Sequence, residues 1–283
     1  MEKYGVHLNL DAYLQRIAYA GPAQPDLATL TALHRAHLRA IPYENLDVQL
    51  GLPVSIERPQ IFEKIVNKKR GGWCYEMNGL FGWALAELGF RVTRSAGAVM
   101  REASGDDAIG NHLVLKVELE EGLYLADVGF GDGPLEPIRV VPGSFISEGF
   151  AFTLSHGDDG WWRLHNHKSA GAPSFDFDLT PADENLLAAR CDWLQSAPDS
   201  VFVQNAVCQR HIADGLMVLR GRVLRKLTAE SCDDYLVSDA GEYVSTLDEV
   251  FGIKLPEAAS LWRKICARHE AVLAEQVAGP PGD

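Results

Sequence analysis

The sequence predicts an α+β protein with a helical first third, an antiparallel β middle third, and a last third that mixes strands and helices. Apolar residues recur at helical spacing through residues 1–90. The pattern then changes to short runs separated by glycine and Asp-Gly turns up to residue 180. The 283 residues exceed the usual size of one domain, so we expect two or three. The changes of period favour three, at 1–91, 92–198 and 199–283.

Composition excludes several classes of protein. With 47% hydrophobic and 23% charged residues, the chain is typical of an ordinary globular protein. A net charge of -13 argues against a nucleic-acid partner, and it requires a local basic or backbone-amide site for any anionic ligand. No apolar run has the length of a membrane span, and residues 1–4 do not resemble a signal peptide. We therefore expect no membrane partner and a cytoplasmic location.

The cysteines predict neither disulfides nor a metal site. Their number is odd, no CxxC pair occurs, and they are scattered at positions 74, 191, 208, 232 and 266. One alternative interpretation, a metal protein built from His165, His167 and Cys208, has no ligand spacing to support it. We expect no bound metal, and we expect those two histidines to lie at the surface.

The first region predicts four helices, at 8–17, 27–40, 59–68 and 75–88. Asp26 is a candidate N-cap for the second, and Pro59 suits the first turn of the third. The basic run Lys64, Lys68, Lys69 and Arg70 predicts a solvated face, with Arg70 the exception.

The later regions alternate between strands and helices. Strands are predicted at 92–100, 111–119, 123–128, 138–141, 150–154 and 161–165. Thr180 and Pro181 predict the start of a connecting helix, 181–195. Strands at 201–210, 216–219 and 222–227, a short helix from Thr246 to Gly252, and a helix over 256–277 follow, and the tail 279–283 is expected to be frayed.

The most informative stretch is Arg70-Gly71-Gly72-Trp73-Cys74. Two glycines allow a tight turn, and Cys74 then begins a helix with an apolar face. A thiol at a helix N-terminus feels the positive end of the helix dipole, which favours the nucleophilic thiolate, and Arg70 adds a positive charge. Considered alone, the stretch is equally compatible with a Cys74 that is simply a small buried side chain and packs like an apolar residue.

Two polar residues on a predicted hairpin alter that balance. His112 and Asp127 lie on consecutive strands joined by a short link. If Leu119 pairs with Gly122, His112 becomes a diagonal neighbour of Asp127 on one face, with about 7–8 Å between their backbones. A register shifted by one residue would place them on opposite faces. With the first register and a facing thiol, Cys74, His112 and Asp127 form a Cys-His-Asp triad for nucleophilic catalysis.

With these residues in place, the chain closely resembles the arylamine N-acetyltransferases of bacteria. The resemblance rests on the stretches 70–78, 110–113 and 127–131, and it extends to 42–46 and 251–255. His112 lies 38 residues and Asp127 53 residues after Cys74, as in bacterial members. Small departures, such as Tyr43 for the family's Phe, concern acceptor preference rather than chemistry.

The resemblance implies a helical bundle carrying the cysteine, a β-barrel domain carrying His112 and Asp127, and a C-terminal α/β lid. This triad architecture is similar to that of papain- and transglutaminase-like enzymes. It also implies a ping-pong reaction, in which Cys74 takes the acetyl group of acetyl-CoA and passes it to an arylamine, arylhydrazine or arylhydroxylamine. The physiological state would be a monomer or a homodimer.

The resemblance also assigns residues around the triad. Gly129, Phe130 and Gly131 match the family loop beside the CoA pyrophosphate, where backbone N–H groups can approach phosphate. Phe130, and with less weight Phe202, match the aromatic wall against which the acceptor ring packs. The matched supporting residues are Arg70 and Glu44, as a buried pair that props the catalytic loop, and Asn78.

Two further alternatives stay open from the sequence. A cysteine hydrolase or amide synthase uses the same triad on another acyl thioester or on an amide. The second alternative is a non-catalytic binding protein that kept the fold, and an unreactive Cys74 would support it.

Overall fold

The computed structural model describes residues 7–278, and its first region is helical, as predicted. The helices are α1 (Leu10–Arg16), α2 (Leu27–Ala40), α3 (Leu46–Gln49), α4 (Arg58–Phe62) and α5 (Cys74–Glu87), with a short strand β1 (Tyr43–Glu44) after α2 and a π-helical turn (Glu63–Asn67) after α4. The Asp26 side chain caps α2 by accepting a hydrogen bond from the Thr29 N–H at 2.8 Å. The predicted frayed tail, 279–283, lies outside the described residues.

The middle region is an antiparallel sheet that curls into a half-barrel. Its strands are β2 (Arg91–Val99), β3 (His112–Leu119), β4 (Gly122–Leu125), β5 (Ile138–Arg139), β6 (Gly143–Ser147), β7 (Phe150–His156), β8 (Trp162–His165) and β9 (Ser174–Phe177). They are ordered β5-β4-β3-β2-β9-β8-β7-β6. A helical turn α6 (Arg101–Ser104) and a 3₁₀ turn (Gly105–Ala108) connect β2 to β3.

The last region is a mixed α/β structure that includes a strand from the first. Its elements are α7 (Glu184–Ser196), α8 (Val201–Gln204), β10 (Val207–Ile212), β11 (Gly215–Arg220), β12 (Val223–Leu227), β13 (Cys232–Leu236), α9 (Ala240–Phe251), a 3₁₀ turn (Pro256–Leu261) and α10 (Trp262–Ala278). The sheet order is β1-β10-β11-β12-β13. Tyr43 pairs with Gln209, so the chain just before α3 is fixed to the C-terminal sheet. The predicted α+β class is confirmed, and the domain boundaries stay a prediction.

Three predicted helix and strand positions are wrong. The connecting helix begins at Glu184, because Asp183 caps it. The Ala182 N–H donates to the Arg94 carbonyl at 2.8 Å, which keeps the residues before Asp183 outside the helix. Residues 201–204 form the helix α8 instead of a strand. The helix predicted from Thr246 begins six residues earlier at Ala240, where the Asp239 side chain accepts from the Glu242 N–H at 2.9 Å.

Short strands account for most of the remaining differences. The prediction missed β1, β6, β9 and β13. It also extended β4 to residue 128, whereas the ladder ends at Leu125 and Asp127 follows it. His167 is buried against Phe150 rather than at the surface, with ring centroids 4.5 Å apart.

Helix α5 is the central element of the molecule. Every residue from Cys74 to Leu85 is buried, because the helix packs against α1 and α4 on one side and against β2 and β3 of the half-barrel on the other. The first turn of α5 is therefore held from several directions. None of the helices within residues 7–278 is long and apolar enough to span a bilayer.

Candidate active site

The turn before α5 presents Cys74 at the first helical position. Trp73 precedes the helix in extended conformation, and the Cys74 side chain is buried at 2% exposure. Both positions before Trp73 require glycine, because neighbouring atoms approach the backbone too closely to leave room for a Cβ. A Cβ on Gly71 would lie 2.0 Å from the Pro42 carbonyl oxygen, and one on Gly72 would lie 2.8 Å from Glu76 Cβ. The Gly-Gly pair thus lets the chain pass directly beneath β1.

The hairpin β3–β4 brings His112 and Asp127 together. Leu119 pairs with Gly122 and Lys116 with Leu125, which confirms the register on which the triad depends. His112 is the first residue of β3, and its Nε2 lies 2.7 Å from Asp127 Oδ2. Both side chains are buried, at 2% and 6% exposure. Nδ1 is therefore the ring nitrogen left for Cys74, whose side chain is among the groups that raise the pKa of His112 and whose Sγ lies 3.9 Å from the Asn111 carbonyl oxygen.

Asn78 connects the helix to the carboxylate. It lies one turn after Cys74 on α5, and its Nδ2 donates to Asp127 Oδ1 at 2.7 Å. Its Oδ1 accepts from the Val128 N–H at 2.9 Å, and the Gly129 N–H donates to Asp127 Oδ1 at 2.8 Å. One helix thus carries the thiol and also fixes the carboxylate that orients the imidazole.

Electrostatics favour a charged His112–Asp127 pair. Burial alone would lower the pKa of His112, but the charge of Asp127, the hydrogen bond that the ring donates to Asp127 and the neighbouring Cys74 side chain raise it to about 10. Burial would likewise raise the pKa of Asp127, yet His112, Asn78 and the Gly129 amide lower it below its usual value. At neutral pH the imidazole therefore holds a proton against a carboxylate, which can stabilise a neighbouring thiolate.

The glycines after Asp127 serve close packing around Cys74. A Cβ on Gly129 would lie 2.6 Å from Asn78 Nδ2 and 2.7 Å from Cys74 Cα. Gly131 has φ +83°, and a Cβ there would lie 1.9 Å from Gln209 Oε1. Only glycine fits either position without displacing its neighbours.

Aromatic rings surround the imidazole and the helix start. The Phe130 ring lies 5.6 Å from His112, and Phe175 lies 5.0 Å from His112 and 4.7 Å from Phe130. Phe202 packs edge-on against Trp73 at 5.0 Å. Sequence reasoning missed Phe175, because its short strand β9 was not predicted.

The predicted Arg70–Glu44 pair is present. Arg70 Nη2 lies 2.8 Å from Glu44 Oε1, and Glu44 is fully buried. Arg70 also contacts Asp47, at 2.8 Å. The predicted solvated face is wrong for Lys64, whose side chain is only 12% exposed and lies 2.9 Å from Asp47.

A cleft of about 490 Å³ opens between the half-barrel, the C-terminal sheet and α10. Loop residues 169–171, strands β10 to β12 and one face of α10 line it. Its lining includes the basic residues Arg220, Lys264 and Arg268, although the chain as a whole is acidic. Gln209, which lies close to Gly131, and Asp132, which follows Gly131 in the chain, are both in its wall, so the cleft borders the end of the 129–131 loop. Within the described residues, no group of three or more His, Cys, Asp or Glu side chains could hold a metal ion.

Comparison with known proteins gives one consistent family. A family model described as N-acetyltransferase matches residues 26–260. The arylamine N-acetyltransferase of Mycolicibacterium smegmatis is 35% identical over 282 residues, covering 94% of this chain and 98% of that protein. A pineal gland isozyme of arylamine N-acetyltransferase from Gallus gallus is 32% identical over 278 residues, covering 88% and 95%.

Solved structures agree with that result. The arylamine N-acetyltransferase of M. tuberculosis superposes with a TM-score of 0.82 at 32% identity, covering 91% of this chain and 99% of that one. The Mycobacterium marinum enzyme, solved in complex with CoA, has a TM-score of 0.82 at 33% identity, covering 92% and 98%.

Proposed function

This chain belongs to the arylamine N-acetyltransferase family and is an acyltransferase of that kind, and on this premise we propose that Cys74, His112 and Asp127 carry the acetyl group from donor to acceptor. The observation that supports the assignment is the buried His112–Asp127 pair at 2.7 Å, together with Cys74 at the first position of the helix whose Asn78 contacts the same carboxylate. Each group has the position that its role requires.

In the first half-reaction, His112 holds the proton of the Cys74 thiol. The thiolate attacks the carbonyl carbon of acetyl-CoA, a C–S bond forms, and the bond to the CoA sulfur breaks. The CoA sulfur leaves as a thiol with the proton from His112, and acetyl-Cys74 remains. Asp127 keeps Nε2 protonated, so that Nδ1 is the atom that exchanges protons with the thiol.

In the second half-reaction, an arylamine, arylhydrazine or arylhydroxylamine attacks acetyl-Cys74. His112 removes a proton from the attacking nitrogen, the C–S bond breaks, and the amide product leaves. Phe130 and Phe202 are proposed to pack against the aromatic ring of the acceptor, since both rings lie beside triad or helix-start residues.

Acetyl-CoA is the proposed co-substrate, and the cleft along α10 is its proposed binding region. Arg220, Lys264 and Arg268 supply the local positive charge that an anionic ligand needs in a chain of net charge -13. Residues 129–131 connect Asp127 of the proposed triad to Asp132 in the wall of this cleft, so their backbone amides are proposed to approach the phosphate groups. Cytoplasmic location and a monomeric or homodimeric state stay predictions from the sequence.

The test is intact mass after incubation with acetyl-CoA and no acceptor. We expect one added acetyl group on the unaltered protein and on Cys232→Ala, which removes an exposed cysteine outside the site. Cys74→Ala should gain none, and an arylamine should then discharge the adduct. An acetyl group that persists in Cys74→Ala would overturn the assignment. Release of acetate without transfer to the amine would favour the hydrolase alternative.

A further inference from the structure

Five charged side chains lie together beneath the turn that presents Cys74. They are Glu44, Asp47, Lys64, Arg70 and Glu76. Each side chain is 14% exposed or less, so this is a buried cluster rather than a surface network. It contains three carboxylates and two cations. Buried charges are costly unless they are paired, so each contact in the cluster affects the conformation around it.

The ion pairs form a continuous chain in which Lys64 and Asp47 are the links. Arg70 lies 2.8 Å from both Glu44 and Asp47. Lys64 Nζ lies 2.9 Å from Asp47 and 2.9 Å from Glu76. Among the described residues, Lys64 makes the one cationic contact of Glu76.

Glu76 connects this cluster to the catalytic turn. It is the third residue of α5, and its Oε2 accepts from the Trp73 N–H at 3.2 Å. The Trp73 carbonyl accepts in turn from the Glu76 N–H at 3.0 Å. Cys74 lies between these two residues, so the contacts of Glu76 fix the backbone on both sides of the thiol.

The π-helical turn places Lys64 inside. The Lys68 N–H donates to the Glu63 carbonyl at 2.9 Å, and the Arg70 N–H donates to the Lys64 carbonyl at 3.1 Å. Lys68, four residues along, is 65% exposed. One basic run therefore contains the buried Lys64 and the exposed Lys68. Substitution of Lys68 can serve as the control for substitution of Lys64.

We propose that Lys64 and Glu76 are positioning residues for the transfer reaction, whose ion pair holds the first turn of α5 so that the Cys74 thiol stays against His112. The proposal rests on the proposed role of Cys74. It differs from a purely structural role in a testable way. Neutralising Glu76 leaves two carboxylates and two cations, so a structural role predicts no loss of stability, whereas a positioning role predicts slower acetylation.

The pair should also respond to pH near neutrality. Burial raises the pKa of Glu76 to about 7, with Glu44 and Asp47 adding to the rise and Lys64 opposing it. His112 retains its proton well above that range. Protonation of Glu76 would break the ion pair to Lys64, so acetylation of Cys74 should slow as pH falls through 7.

The experiment measures single-turnover acetylation by 4-nitrophenyl acetate, which lacks the nucleotide and so separates chemistry from CoA binding. At about pH 8, Lys64→Met and Glu76→Gln should acetylate about 10- to 100-fold more slowly than the unaltered enzyme, because small misplacements of reacting groups cost that much. The KM for the donor should be unchanged. Lys68→Met, which removes an exposed charge, should stay within about twofold.

The pH profile supplies the second readout. The unaltered enzyme should lose rate below about pH 7, and Glu76→Gln should show a flat profile between about pH 6 and 8. Rates for Glu76→Gln equal to those of Lys68→Met, or a Glu76→Gln profile with the same acid limb, would overturn the proposal. If Lys64→Met does not fold, Glu76→Gln with its balanced charges still decides the matter. Absence of acetyl-Cys74 in the unaltered enzyme would overturn the proposed function instead.

Discussion

Replacing Asp127 by asparagine should reverse the proton arrangement of His112. Asp127 Oδ1 accepts from two N–H groups, those of Asn78 at 2.7 Å and Gly129 at 2.8 Å. An asparagine must keep its oxygen towards these donors, so its NH₂ would face His112 Nε2. Nε2 must then accept, and the ring proton moves to Nδ1, the atom that faces Cys74. A protonated Nδ1 on a neutral ring cannot take the thiol proton.

The magnitude follows from the charge that is removed. The pKa of His112 is raised from 6.5 to about 10, a difference worth about 5 kcal/mol, and Asp127 is the main source of the increase. Loss of most of it, together with the wrong tautomer, should slow acetylation of Cys74 by about 10³-fold. Because the thiol would then ionise without a base, the residual rate should rise steadily with pH.

The assay is single-turnover acetylation monitored by CoA release, across a range of pH. Thermal unfolding of Asp127→Asn serves as the control for folding, since the amide can keep all three hydrogen bonds, with the direction of the one to His112 reversed. A rate within about threefold of the unaltered enzyme would refute the reasoning, because the ionised carboxylate would then contribute little.

Three other outcomes are expected. Gly129→Ala should slow single-turnover acetylation at least about tenfold, because its Cβ would lie 2.7 Å from Cys74 Cα. Gly133→Ala is the control: the atom nearest to its Cβ would lie 3.4 Å away, so the same rate should be unchanged. The pKa of Glu76 is about 7 in the folded protein, against an ordinary value of 4.5. Its contribution to the free energy of unfolding is therefore fully present below pH 4.5 and is lost as pH rises through 7. Urea unfolding should therefore show that the free energy of unfolding of Glu76→Gln, relative to that of the unaltered protein, rises by about 3 kcal/mol from about pH 4 to 8. A difference that stays constant across this range would contradict the raised pKa. Arg268→Met should raise the KM for acetyl-CoA, by an amount that depends on salt concentration, and should leave the KM for 4-nitrophenyl acetate unchanged. Arg263 is exposed and outside the cleft lining, so Arg263→Met should change neither KM.

Local signals in the sequence predicted much of the fold and the spatial approach of the triad. Asp26 as N-cap and the apolar spacing after it located α2, and the glycines before Cys74 located the start of α5. The short link before Gly122 is compatible with few hairpin registers, and the register that pairs Leu119 with Gly122 is the one observed. These features depend on neighbours close in the chain, so the sequence carries them directly.

Where distant residues compete, the local signals failed. Residues 201–204 have the β-branched and aromatic composition of a strand, yet they form α8. Asn45 accepts from the Val207 N–H at 2.8 Å and donates to the Phe202 carbonyl at 2.9 Å, which fixes this segment from more than 150 residues away. Likewise, no pattern in a basic run distinguishes the buried Lys64 from the exposed Lys68, because the carboxylates that pair with Lys64 come from α3 and α5.

The sequence by itself determined the fold class, the thiol at a helix start, and an imidazole and a carboxylate on opposite sides of one hairpin, since each follows from local spacing and turn geometry. Only the tertiary structure decided which charges are buried together beneath Cys74, which rings surround His112, and where the cleft along α10 opens. Burial and ion pairing depend on which distant segments come into contact, and that is settled by the packing of the whole chain rather than by any one stretch of it.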